Sequence, residues 1–218
     1  GISGGLVHAQ LHGDGGAIVD TFHQLGNAAQ EADVVVAPLA DLLIVDIDNY
    51  QYDLADIIRA IYDFKLPLFP CWSKSKKLHI YMFFSEPASA ASVREILRWY
   101  ADLFCCDRKT ELFPKQDRVD PGAKFFSWIN IPYFNAESDN WRKQVKRDMS
   151  LADLSDALEY IKSIRMTEEE HRKFMDSFPY KDAPPCVTSG ILLRDIPRGS
   201  RNAWLFSVGV YFRLKDEN

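Results

Sequence analysis

The sequence predicts an α+β fold: a mixed sheet with flanking helices over 1–135, followed by a small all-α module over 136–218. Three observations predict it. β-branched apolar runs alternate with helical periodicity in the first part. Acidic or hydroxyl residues stand at the starts of the helical runs. After Asn135 the strand pattern gives way to amphipathic helices. The 218 residues are 47% hydrophobic and 26% charged, which supplies a real core and excludes disorder as the main state.

The elements follow in order. Leu6 to Leu11 reads as a strand, and Leu42-Leu43-Ile44-Val45-Asp46-Ile47-Asp48 as a stronger one with acidic residues at its end. Leu54, Ile57, Ile58 and Ile61 make one face of a helix over 53–64. Leu66 to Trp72 and Leu78 to Phe84 form two strands joined by the polar run Ser73-Lys74-Ser75-Lys76-Lys77 as a hairpin tip. Val93, Ile96, Leu97, Tyr100 and Phe104 predict a helix over 88–104, and 111–113 and 125–131 are short strands. Beyond 135, Ser150 is placed to cap a helix over 151–164. Thr167 with Glu170 forms a capping-box pattern. Asp182 to Cys186 breaks that helix, and 191–193 and 203–214 are apolar helical segments. Phe22, Phe69 and Phe83 are expected in the core.

Charge and cysteine usage exclude whole classes of function. A net charge of −5 means that any nucleic acid must be held by local basic stretches. Cys71, Cys105, Cys106 and Cys186 lack disulfide-framework and zinc spacing, so reduced, cytosolic thiols are expected. No run of 18 apolar residues predicts a membrane span. The opening Gly1-Ile2-Ser3-Gly4-Gly5 reads as a tag remnant or fragment boundary, and a larger parent protein is expected. No G-x-x-x-x-G-K-[ST] is present, which disfavours a P-loop NTPase.

Three constellations carry chemistry. Asp46 and Asp48, two apart on a strand, leave the same face. Like charges there repel unless a cation lies between them, and paired carboxylates suit Mg²⁺ or Mn²⁺. The bland alternative is a solvated strand end. Ser73, Lys74, Ser75, Lys76 and Lys77 lead to His79 and supply the hydroxyls, backbone donors and cations that a polyphosphate needs. A solvated tip and a structural histidine are the alternatives. Glu111, on a short strand ended by Pro114, can complete a metal site, and position alone leaves Asp117 and Asp120 open.

In this order the elements resemble the archaeo-eukaryotic primase superfamily, in its phage and mobile-element primase-polymerase branch. Asp46-Ile47-Asp48 looks like the first, metal-binding motif. Ser73 to His79 looks like the second, which binds the incoming triphosphate. Glu111-Leu112-Phe113-Pro114-Lys115-Gln116 is similar to the third acidic motif, and Trp128 to Phe134 to the strand and turn after it. Pro184-Pro185-Cys186, Gly199 to Asn202 and Leu205-Phe206 resemble the helical module that follows such domains. One departure is Lys76-Lys77-Leu78, where Gly often precedes the motif's His.

The resemblance implies an RRM-like catalytic core and a template-directed nucleotidyltransferase that makes and extends primers on single-stranded DNA. It implies two Mg²⁺ or Mn²⁺ ions on Asp46, Asp48 and Glu111, with NTP or dNTP at residues 73–79. A helicase in the same parent chain or in trans is an expected partner. A degenerate DNA-loading domain and a metal-dependent nuclease are the alternatives; the second predicts no triphosphate cradle. Trp141, Arg142, Lys143, Lys146, Arg147, Arg194, Arg198 and Arg201 are the candidate DNA contacts, Trp141 by stacking on an unpaired base. Arg198 to Asn202 precedes a helix whose N-terminus favours anions, and Asn202 is an alternative cap for it.

Overall fold

The computed structural model describes residues 53–73, 77–86, 88–106, 109–115, 132–133, 141–194, 199 and 201–216. Among these residues lie six helices and one small antiparallel sheet, a mixed α+β arrangement. The strands expected at 6–11, 42–48 and 125–131 lie outside the described residues, as do Phe22, Asp46, Asp48, Lys74, Ser75, Lys76, Asp117, Asp120 and Arg198.

Helix α1 (Leu54–Asp63) starts where Asp53 accepts a hydrogen bond from the Ala55 N–H at 2.9 Å. It buries Ile57, Ile58 and Ile61, the predicted face. Strands β1 (Phe69–Trp72) and β2 (Leu78–Tyr81) pair antiparallel, with Phe69 opposite Tyr81 and Cys71 opposite His79. Period-two alternation gives this hairpin two buried faces. Leu78 and Ile80 join the larger core with α1 and α2 (Ala90–Leu103). Phe69, Cys71 and Tyr81 join a second cluster that includes Phe83, Ala152 and Ala157.

The stretch after 140 does not stand apart from this sheet. Arg142 N–H donates to the Trp72 carbonyl at 2.8 Å, Trp72 N–H to Lys143 at 3.2 Å, and Val145 N–H to Pro70 at 3.0 Å. Gln144 thereby bridges Cys71 as a third, antiparallel line along β1. On the far side of the hairpin, Met166 bridges Phe84 in parallel sense.

Ser150 does not cap the next helix. Its N–H and hydroxyl both bond Asp148, at 3.0 and 2.6 Å, closing a turn from Val145 to Leu151. Helix α3 (Leu154–Ile164) is capped instead by Asp153, which accepts from Asp156 N–H at 2.8 Å. Helix α4 (Glu168–Ser177) carries the predicted capping box of Thr167 and Glu170. Asp182 to Cys186 does not break α4, which already ends at Ser177 with Phe178 as its C-cap. Pro185 is instead the first residue of α5 (Pro185–Leu192), where its missing N–H has no intrahelical partner to lose.

Helix α6 (Arg201–Asp216) contains Asn202 in its first turn rather than at its cap. Its apolar residues are not core: none is buried, and Leu205 and Phe206 are exposed. It is held along one flank. A Cβ on Gly190 would collide with the Trp204 indole at Nε1, so glycine is what lets the indole seat on α5. Tyr211 hydroxyl and Lys215 ammonium both donate to the Pro179 carbonyl. No helix among the described residues is long and apolar enough to cross a membrane.

Candidate nucleotide and nucleic-acid site

The hairpin positions the second motif. Ser73 N–H donates to the Lys77 carbonyl at 2.8 Å, and Lys77 N–H donates to Ser73 Oγ at 3.0 Å. The buried Ser73 hydroxyl thus closes the base of the tip, a local role that the residue pattern did not specify. His79, one residue into β2, is 6% exposed. Its Nδ1 lies 3.2 Å from the Tyr81 hydroxyl, two residues along the same face. Burial, then the neighbouring Lys77 charge, pushes its pKa down to about 4. The ring is therefore neutral at pH 7. In the tautomer where Tyr81 donates to Nδ1, the proton sits on Nε2 and the ring is a neutral donor.

The same face carries Cys71 and Tyr81, both pushed up by burial and pulled back less strongly by the Arg142 charge. Arg142 is thereby placed at the base of the hairpin, with Lys143 beside it on the β1 edge. Sequence reasoning did not find the polar network that fixes this edge. Gln144 Nε2 donates to the Tyr62 hydroxyl at 3.1 Å, and that hydroxyl donates to the Val145 carbonyl at 2.7 Å. Gln144 N–H bonds the Tyr133 hydroxyl at 3.2 Å, which reaches the Ala152 carbonyl at 3.0 Å. Burial pushes Tyr62 up to about 12, so it stays a phenol. Tyr62, Tyr133 and Gln144 come from three separate parts of the chain and no local pattern links them, which is why the sequence hid the network.

Glu111 is exposed and paired with Lys115 at 2.7 Å, one cation already on its carboxylate. Phe113 packs against the cluster that holds Tyr81, and Arg94 of α2 donates to the Pro114 carbonyl at 3.3 Å. Residues 111–115 are thus anchored to both clusters, Leu112 in the larger core and Phe113 against the one that holds Tyr81. Among the described residues, no group of three or more His, Cys, Asp or Glu could hold a metal ion. Of the expected ligands only Glu111 is described.

The basic candidates divide. Arg142 and Lys143 flank Trp72. Lys146 pairs with Asp156 at 2.7 Å. Arg147 and Arg194 meet on one carboxylate, Asp63. Trp141 is half-buried, and Arg201 is exposed at the first turn of α6. The four cysteines are free, with Cys71 buried and Cys186 exposed.

No curated protein and no solved structure matches the chain significantly. A family model does, over residues 38–175, and it is described as the Archaeo-Eukaryotic Primase domain of the TOTE conflict system. The matched span takes in Asp46, Asp48, the hairpin with His79, Glu111 and the basic edge at 141–147. That description does not name the phage and mobile-element branch that residues 111–116 resemble. With more than half of its length inside the match, the chain belongs to the archaeo-eukaryotic primase domain family.

Proposed function

We propose that the chain is a template-directed nucleotidyltransferase that makes and extends primers on single-stranded DNA, using NTP or dNTP. One observation carries this reading: the family match contains the paired carboxylates, the Ser/Lys hairpin ending in His79, and Glu111, in that order. A binding-only domain has no need of clustered carboxylates, which repel DNA. A nuclease has no need of a triphosphate cradle.

In this reading Asp46, Asp48 and Glu111 would hold Mg²⁺ or Mn²⁺, which would supply polarisation of the attacking hydroxyl and neutralise charge on the leaving phosphates. The chain's own residues do the rest. Lys74, Ser75 and Lys76 at the tip and Lys77 at its base surround the triphosphate, while Ser73 keeps the loop closed. His79 offers a neutral N–H to a phosphate oxygen, which binds without adding a titrating charge. To serve as a metal ligand, Glu111 would have to give up its pairing with Lys115. Residues 1–135 carry the chemistry, and 136–218 add DNA contacts, tied to the sheet through 142–145.

The test is incubation with an unprimed single-stranded template, labelled nucleotides and Mg²⁺ or Mn²⁺. Short template-dependent products are expected. Their absence under both metals, together with no extension of a supplied primer, refutes the reading.

A further inference from the structure

Asp63 closes the last turn of α1, where the helix dipole disfavours an anion. It is held there by two arginines from far along the chain. Arg147 donates its Nε–H to Oδ1 at 2.5 Å, and Arg194 Nη2 lies 3.6 Å from Oδ2, an ion pair without a hydrogen bond. The Asp63 side chain is 27% exposed, against 59% for Arg147 and 69% for Arg194. The two guanidinium groups are thus more open to solvent than the carboxylate they share, and one negative charge faces two positive ones. Each guanidinium has five N–H donors in a fork that matches the oxygens of a phosphodiester. The exposed Lys65 stands two residues beyond Asp63 and adds to the positive field.

The position of this pair bears on what binds it. The chain runs from Arg142, hydrogen-bonded beside Trp72 at the hairpin base, to Arg147 in five residues. That separation is at most about 17 Å. A strand engaged near the hairpin reaches the Asp63 clasp within a few nucleotides.

We propose that Arg147 and Arg194 form a phosphodiester-binding site for the single-stranded template, which the Asp63 carboxylate fills in the absence of nucleic acid. The inference rests on the primase-polymerase reading and adds a built-in competitor to it. Asp63 raises the threshold for binding, because a phosphate must displace it, and it stops the two arginines from holding unrelated anions. An ordinary surface staple between α1 and the segments after α5 is the alternative. The two differ in the sign of what removing Asp63 does to affinity.

The experiment is fluorescence anisotropy of labelled oligothymidylate and oligouridylate with the full chain, over a series of salt concentrations. Arg147→Ala and Arg194→Ala are each expected to weaken binding roughly tenfold. Each should flatten the slope of log affinity against log salt by about 0.7. Asp63→Asn should tighten binding severalfold, on both oligomers, since a phosphate contact ignores the sugar. Circular dichroism checks the fold. Should Arg147→Ala unfold, Arg147→Lys, which keeps the charge and loses the fork, must lower affinity while retaining the salt slope. Unchanged affinity in the arginine variants, or Asp63→Asn that binds no tighter, overturns the clasp and leaves the proposed function standing. Wild-type protein that binds neither oligomer overturns both.

Discussion

His79 shows how burial changes what a residue can do. A solvent-exposed histidine would be half charged near pH 6.5, whereas burial holds this ring at about 4 and leaves it uncharged near neutral pH. In the proposed function the nucleotide's negative charge is then met by the lysines, and the imidazole supplies direction. His79→Ala should raise the nucleotide Kd roughly tenfold, the worth of one hydrogen bond to a charged group, and alter DNA affinity little. Equal losses for both ligands would contradict this division of labour. Asp46→Ala and Asp48→Ala are expected to abolish incorporation at an unchanged melting temperature, read by primer extension and calorimetry. Full activity in either variant would remove the assignment. Glu111→Gln keeps the shape of the side chain, removes its charge and releases Lys115. Catalysis should fall strongly while nucleotide binding holds; a near wild-type rate would move the third ligand to Asp117 or Asp120.

At the scale of elements, the outcome depended on whether a signal was local. The α1 face, the β1–β2 hairpin, the α2 stripe and the capping box of α4 were legible because periodicity and capping act within one or two turns. Ser150 misled because Asp148 competes for its hydroxyl, and Asp153, three residues on, caps instead. Asp153→Ala should therefore cost about 1 kcal/mol in chemical unfolding, a loss assigned to α3. The seating of α6 was not legible at all. The sequence marked only an apolar helical segment, and what seats it comes from elsewhere in the chain: a missing side chain on a different helix, Gly190 under Trp204, and the Pro179 carbonyl. Of the candidate site, the motif residues could be named from sequence. The closing of the tip by Ser73, the burial of His79, the Tyr62–Gln144–Tyr133 network and the convergence of Arg147 with Arg194 could not, since each depends on residues brought together from distant parts of the chain. Gly190→Ala forces the indole out of its seat and should cost about 1–3 kcal/mol. Trp204→Ala should add little on top of it, because both act through one contact. Full additivity in a double-mutant cycle would show that α6 is anchored elsewhere.

At the scale of the whole molecule, the two buried histidines among the described residues are expected to weaken the fold in acid. His79 faces the sheet's second cluster; His171, on α4, is fully buried against the Phe84 ring at 4.9 Å, and neither of its ring nitrogens makes a well-formed hydrogen bond. Burial pushes His171 down to about 4 as well, outweighing the opposing pull of the Phe83 backbone and Glu170. In the folded chain both rings remain neutral until the pH nears 4, while in the unfolded chain they protonate below about 6.5. Between those values unfolding takes up protons, so stability declines as the pH falls through that window and is fully present above it. A shift of that size is worth up to about 3 kcal/mol per histidine. Asp63, Asp148 and Glu169, whose carboxyls are held below their ordinary values by hydrogen bonds, lose their smaller contributions only at lower pH still. The urea midpoint should accordingly hold from pH 8 to 7 and drop steeply from about 6 to 4. His171→Leu replaces the ring by an apolar side chain that cannot protonate, and should remove about half of that drop even if it shifts the midpoint at pH 7. A midpoint flat to pH 4.5 in the wild type, or a slope identical in His171→Leu, would show that neither buried ring governs how the folded chain meets acid.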